Sequence, residues 1–386
     1  MKKCYKCLLP ETYETIEFSN ASCNICLGSE HKNEHIDWEA REKSLKDLIE
    51  KYRGKYDYDC IVPFSGGKDS TFTLYYLVKN YNVKPLVVRF NHGFMRPVVQ
   101  ENCTNTLKKL GVDFIDFTPN WHVVKLLMKE SFNRKSDFCW HCHTGIFTYP
   151  IRLSVKLNIP LIFWGETQSE ITAYYNYQDN KIEFEDEEKM NKMRNLGITA
   201  EDMYEMLKEN NKNLDRRDLF PYTYPDQGEI KKNGCYSVAL GNFIKWDYDK
   251  NTKEIIKNLN WKVVETEGVP KEINIYGEKT ECFMQGTRDY IKFLKRGYGR
   301  TTQINAFNLR NKKKTAQQCK EENINFDGKK PHSLEIFLEY MGITEDEFKE
   351  IISKMTVYPN HPNFDSNDYS KKLDDFELWY RENNKS

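Results

Sequence analysis

The chain of 386 residues is long enough for a full α/β domain with additions, so roughly two or three structural units are expected. Lysine plus arginine equals aspartate plus glutamate, 58 each, and this zero net charge weighs against a grip on a long nucleic acid, which needs a basic surface. No apolar run of about 20 residues is present, and Met1-Lys2-Lys3-Cys4 leads into a cysteine pair instead of an apolar leader, so a soluble cytoplasmic protein is expected. In that compartment eleven cysteines point to metal or redox chemistry more than to disulfides.

Cys4-Tyr5-Lys6-Cys7 and Cys23-Asn24-Ile25-Cys26 form two C-x-x-C pairs separated by fifteen residues. Each pair bends into a knuckle that aims two thiolates at one ion, and two knuckles close a tetrahedron suited to structural Zn²⁺. Four sulfur ligands leave no open position for a substrate, so the ion would contribute folding energy and not catalysis. From His35 to Tyr52, apolar residues recur at helical spacing and predict an amphipathic helix.

Tyr58–Phe64 reads as a buried strand, followed by Ser65-Gly66-Gly67-Lys68-Asp69-Ser70 and a helix over Thr71–Lys79. Glycines let the backbone approach an anion, helix-start N–H groups point at it, and Lys68 adds a positive charge. The spacing differs from the Walker loop, which has four residues between its first glycine and Gly-Lys-Ser/Thr. Lys84–Phe90 reads as a second buried strand ending at Asn91-His92-Gly93. In doubly wound sheets, ligands lie beyond the carboxyl ends of the strands, which brings Phe90 to Gly93 near any bound ligand.

Helix Val98–Leu110, stopped by Gly111, strand Val112–Phe117 and helix Trp121–Phe132 continue the alternation expected of a mostly parallel sheet with helices on both faces. Phe138-Cys139-Trp140-His141-Cys142-His143-Thr144-Gly145 then precedes a helix over Gly145–Leu157. A thiolate is favoured at a helix start, so Cys139 and Cys142 are candidates for a second metal or iron–sulfur site, with Cys235 as a third ligand; plain packing or substrate contact are the competing readings. Strand Ile159–Thr167 makes Gly165 and Glu166 a second wall for the ligand. Residues 176–234 change to a charged, polar stretch with helices over Glu183–Met193 and Ala200–Asn210, an insertion or lid. Apolar character resumes at Tyr236–Trp246, and Asn251–Leu259 is helical. A basic helix over Thr287–Gly297 empties into Gly297-Tyr298-Gly299-Arg300, where Arg288, Lys295, Arg296, Tyr298 and Arg300 could hold a phosphate or carboxylate, or simply form a solvated basic face. Ser333–Met341 and Thr344–Met355 are short helices.

The Ser65–Ser70 loop resembles the PP-loop of ATP pyrophosphatases, which implies ATP and Mg²⁺ as ligands. In that chemistry Lys68, Asp69 and Ser70 would be catalytic, Ser65, Gly66 and Gly67 would line the phosphates, and Phe90 and Asn91 would hold adenine and ribose. Over residues 1–302 the chain resembles the N-acetyl sugar amidotransferases of bacterial surface-polysaccharide and flagellin-glycan biosynthesis. That resemblance is carried by the two cysteine pairs, the loop, Phe138–Gly145, Trp164-Gly165-Glu166, and Asp289-Tyr290 through Arg300. It implies that the acetamido oxygen of a sugar, one linked to a nucleotide, is adenylated and replaced by ammonia. After Arg300 the chain reads Thr-Thr-Gln-Ile-Asn-Ala, a departure from the family pattern that bears on which sugar is used. Cys4 sits in a metal pair and no Gly-x-Cys-x-Gly elbow occurs, so a separate glutaminase is expected to supply ammonia. The alternatives are a tRNA thiolase with an iron–sulfur cluster on Cys139, Cys142 and Cys235, and a non-catalytic zinc scaffold that binds nucleotide. The expected organisation is a Cys4 knuckle over 1–34, the PP-loop core over 35–175, the insertion over 176–234, core completion with substrate contacts over 235–310, and a helical region over 311–386.

Overall fold

The computed structural model describes residues 1–165, 195–209 and 214–369. These fall into two compact units: Met1–Ile36 with the chain from Val263 onward, and the described residues between Asp37 and Lys262. The expected helix over Glu183–Met193 and the residue Glu166 lie outside the described residues.

In the first unit, β1 (Phe18–Ser19) and β2 (Ser22–Cys23) pair antiparallel. Asn20 and Ala21 between them both have positive φ, 47° and 65°, as a two-residue hairpin turn of right-handed twist requires. Helix α1 (Asn24–His35) follows directly. Its apolar residues show almost no helical stripe, which is why sequence periodicity passes over it.

The second unit opens with α2 (Trp38–Tyr52), whose first turn is capped by Asp37 accepting from the Ala40 N–H at 3.0 Å. It then builds β3 (Cys60–Pro63), α3 (Lys68–Tyr81), β4 (Pro85–Phe90), α4 (Pro97–Leu110), β5 (Asp113–Phe117), α5 (Trp121–Lys135), α6 (Trp140–Leu157) and β6 (Leu161–Trp164). After these come α7 (Ala200–Lys208), α8 (Gln227–Asn233), β7 (Tyr236–Ala239) and α9 (Tyr248–Leu259). The five strands from β3 to β7 form one parallel sheet in the order β5-β4-β3-β6-β7. That order is doubly wound, so the expected fold class holds. Ile61 on β3 is flanked by Leu86 on β4 and Ile162 on β6, and α6 adds Ile151 to the same buried cluster. Ile61 and Ile162 are wholly buried, each contributing about 1.5–3 kcal/mol of apolar burial.

The chain after Val263 is mostly helical: α10 (Gln285–Arg296), α11 (Arg300–Arg310), α12 (Ala316–Phe326), α13 (Ser333–Met341) and α14 (Glu345–Lys354). The sequence reading lacks α11 and α12, and gives α6 a start at Gly145, five residues late. The early start makes Cys139 the N-cap of α6 and sets Cys142 in its first turn.

Candidate active site and cysteine centre

Strand order reverses at β3, with β4 on one side and β6 on the other, and the crevice beyond such a reversal is where doubly wound sheets bind ligands. Ser65–Ser70 leaves β3 at that point. Gly66 has φ +81°, and a Cβ there would lie 2.2 Å from the Cys103 sulfur, so only glycine fits. The loop is tied internally. The Ser65 N–H donates to Ser70 Oγ at 3.2 Å, the Gly67 N–H donates to Ser65 Oγ at 3.2 Å, and the two serine hydroxyls lie 3.1 Å apart.

Lys68 and Asp69 open α3. The Lys68 ammonium, only 4% exposed, sits 2.5 Å from the Asp69 carboxylate and 4.4 Å from the centre of the Tyr248 ring. Gly165, at the end of β6, brings its backbone against α3: a Cβ on it would lie 3.3 Å from Thr73 Oγ1 and 3.5 Å from the Asp69 carbonyl. Three residues that support the loop escape sequence reasoning. Trp261 donates its indole N–H to the Gly66 carbonyl at 3.0 Å, Cys103 packs beneath Gly66, and Tyr248 faces Lys68. None belongs to a motif, and each reaches the loop only through tertiary folding.

At the end of β4 the expectations divide. The Phe90 ring is buried in a cluster with Trp140 and Tyr222 and lies against Gly145, so its side chain is core and offers no face to a base. Asn91 stays at the rim, its Nδ2 donating to Thr118 Oγ1 at 3.3 Å and its Oδ1 accepting from the Gly93 N–H at 3.0 Å. His92 and His141 are buried, and burial pushes each down to about 4, so both are neutral near pH 7.

Cys235 does not join Cys139 and Cys142. Its sulfur accepts from Ser154 Oγ at 3.5 Å, and Ser154 is twelve residues along α6 from Cys142, about 18 Å at the helical rise. Cys235 lies in the core beneath the opposite end of the sheet, where burial pushes its thiol up. Gly234, which precedes it, is the left-handed C-cap of α8.

The four N-terminal cysteines do converge. Their sulfurs all lie within 4.8 Å of one another, with Cys4 to Cys26 at 3.9 Å and Cys7 to Cys23 at 3.6 Å. Zn–S bonds of about 2.3 Å in a tetrahedron require sulfurs about 3.8 Å apart, so the set fits a single ion. The Cys23 N–H donates to the Cys4 sulfur at 3.3 Å, as a thiolate ligand favours. All four are buried, in one cluster with Tyr298 and Ala306. Among the described residues this is the one group of three or more such side chains with metal-binding spacing.

The basic turn is largely occupied by the chain itself. Arg300 donates twice to Asp289, at 2.8 and 3.0 Å, and Arg296 bonds Glu14 at 3.2 Å and the Thr12 carbonyl at 2.6 Å. Tyr298 is buried and donates its hydroxyl to Glu14. At the start of α11 the Asp327 carboxylate accepts from the N–H groups of Gly299 and Thr301, each at 3.0 Å, and of Thr302 at 3.2 Å, and from the Thr302 hydroxyl at 2.6 Å. The turn therefore holds a carboxylate, as its composition suggests, but one from α12's own C-cap. Burial raises Asp289, yet Arg300 and Lys292 more than offset it and bring the group to about 2. Arg288 and Lys295 lie on the same helix, α10.

With this geometry in place, residues 276–376 match the C-terminal domain of WbpG-like LPS biosynthesis proteins. A curated relative, an uncharacterized protein of Methanocaldococcus jannaschii, is 26% identical, the alignment covering 37% of this chain and 58% of that protein. The chain thus spans somewhat over half of that relative's length. Among solved structures, a U34-tRNA thiolase, NcsA of Methanococcus maripaludis with its 4Fe–4S cluster, aligns over 81% of this chain and 88% of its own at 13% identity and a TM-score of 0.31. No conclusion follows at that score. No helix among the described residues is long and apolar enough to cross a membrane.

Proposed function

We propose that this chain is an ATP-dependent amidotransferase of the PP-loop type that acts on an acetamido sugar carried by a nucleotide, in bacterial surface-glycan assembly. The carrying observation is the Ser65–Ser70 loop at the reversal point of the sheet, with Lys68 and the start of α3 beside it. The match of residues 276–376 to an LPS biosynthesis domain supports the sugar side.

The acetamido oxygen attacks the α-phosphorus of ATP, pyrophosphate leaves, and the carbonyl carbon becomes an O-adenylated imidate. Ammonia adds to that carbon, a proton is lost, and the C–O bond breaks to release AMP and leave an acetamidino group. Loop N–H groups and Lys68 stabilise charge as it moves onto pyrophosphate, and polyphosphate exchanges with Asp69 as the partner of Lys68. Ser65 and Ser70 present hydroxyls to the phosphates, and Gly165 lines the other side. Asp69 is the protein carboxylate that would hold Mg²⁺ at this site, and the ion, when bound, would supply further charge neutralisation. Zn²⁺ in the Cys4, Cys7, Cys23 and Cys26 set holds the fold and takes no part in the reaction. A separate glutaminase supplies the ammonia, since Cys4 is wholly buried in that set and cannot serve as a terminal nucleophile.

The thiolase alternative, as drawn from three cysteines, loses its third ligand through the position of Cys235 beside Ser154. The test is to incubate the chain with ATP, ammonium and a panel of acetamido nucleotide sugars, and to measure AMP together with oxygen-to-imino exchange in the sugar. No exchange with any sugar, with sulfur transfer to tRNA instead, contradicts the proposal.

A further inference from the structure

Trp121 is the first residue of α5, separated from the end of β5 by Thr118, Pro119 and Asn120, and it is 42% exposed. Its seat is specific. A Cβ on Gly93, whose φ is +94°, would lie 1.7 Å from the Trp121 ring, so the indole rests on the bare backbone at the end of the β4 loop. Asn91 fixes that loop by accepting the Gly93 N–H, and the Phe94 ring meets the indole edge-on with centroids 6.4 Å apart. A positive-φ glycine is thus used to hold a large apolar ring in partial contact with water, at the sheet edge where ligands bind.

We infer that Trp121 is the stacking platform for the adenine base of the nucleotide whose phosphates lie on the Ser65–Ser70 loop, an inference that rests on the nucleotide reading above. Strands β3, β4 and β5 are adjacent, so the end of β5 lies about two strand spacings, some 10 Å, from the loop after β3. The sugar and α-phosphate of a nucleotide cover that span. Phe90, the aromatic residue that the PP-loop resemblance assigns to the base, is buried beneath Gly145, whereas Trp121 presents its ring at the same edge. The Asn91 and Thr118 side chains, bonded to each other at the rim, add polar groups beside it. A base on an indole is favoured by dispersion and by its π-face, with little demand on base identity.

The test is calorimetric titration of wild type, Trp121→Ala and Trp121→Phe with ATP and, separately, with inorganic tripolyphosphate. The expected result is an ATP Kd raised about tenfold in Trp121→Ala, close to wild type in Trp121→Phe, and an unchanged tripolyphosphate Kd in both. Unchanged ATP binding in Trp121→Ala, or equal weakening of both ligands, overturns the inference while leaving the loop reading in place. A wild-type chain that binds neither ligand overturns the loop reading and this inference with it. Should Trp121→Ala fail to fold, an azido-adenine photoprobe on the wild type decides: label on the peptides carrying Trp121 or Asn91–Gly93 is expected, and label confined to other peptides overturns it.

Discussion

The Lys68 ammonium, buried as it is, is met by the Asp69 carboxylate on one side and by the face of Tyr248 on the other. Lys68→Ala removes the cation and leaves the Asp69 carboxylate facing the phosphates, so pyrophosphate release should fall by at least about 100-fold. Activity within a few-fold of wild type would exclude the loop from catalysis. Trp261→Phe keeps the ring's apolar bulk but strands the Gly66 carbonyl. A loss of about 1–3 kcal/mol in urea unfolding is expected, together with weaker ATP binding. Lys292 gives a prediction in pH. Burial, with Arg300 beside it, pushes this lysine down to about 8 from its ordinary 10.5. Between those values the unfolded chain binds more proton than the folded one, so the residue's contribution to stability rises with pH, and below about 8 the cost of the buried charge is felt in full. The stability difference between wild type and Lys292→Met, followed by urea unfolding, should therefore move towards wild type between about pH 8 and pH 10. A constant difference would mean that Lys292 titrates normally.

Two helix starts in the unit after Val263 are capped by carboxylates distant in sequence: Asp327 on α11, and Glu267, which accepts the Ser333 N–H of α13 at 3.1 Å. Asp327→Ala leaves three N–H groups and a hydroxyl at a buried end without their acceptor, and should cost roughly 2–3 kcal/mol, read from the denaturation midpoint. A change under about 0.5 kcal/mol would show that water replaces the cap. These contacts also mark the limit of reading elements from sequence. The alternation β3-α3-β4-α4-β5-α5 is legible because β3 and β4 are largely apolar runs, β5 intersperses Phe114, Ile115 and Phe117 with two acids, and the helices end on signals such as Gly111, which adopts φ +64°. Helix α12 carried a readable start in Thr315 and Gln318, a capping box that the sequence reading passed over. Helix α11 lacks one, since its cap comes from Asp327, and no local pattern announces a tertiary cap.

For the molecule as a whole, the cysteine spacing predicted the convergence of Cys4, Cys7, Cys23 and Cys26, because C-x-x-C geometry is local and two knuckles need only meet. The supposed third cysteine failed for the opposite reason: its place depends on which end of the sheet β7 begins, and spacing holds no trace of that. In the basic turn the anions that spacing does not reveal are the chain's own: Asp327 at the start of α11, Asp289 on Arg300 and Glu14 on Arg296. If the four cysteines hold one Zn²⁺, metal analysis should return one ion per chain, and a strong chelator should lower the unfolding temperature without changing kcat in the metal-loaded fraction. A chain that unfolds at the same temperature with and without chelator would deny the ion a structural role.

The central claim, that an amide oxygen attacks the α-phosphorus at the Ser65–Ser70 loop, is tested most directly by the fate of that oxygen. A nucleotide sugar carrying heavy oxygen in its acetamido carbonyl is turned over with ATP and ammonium, and AMP and sugar are then weighed by mass spectrometry. The account predicts heavy oxygen in the phosphate of AMP and an imino nitrogen in the sugar. Heavy oxygen retained in the sugar while AMP accumulates would contradict it.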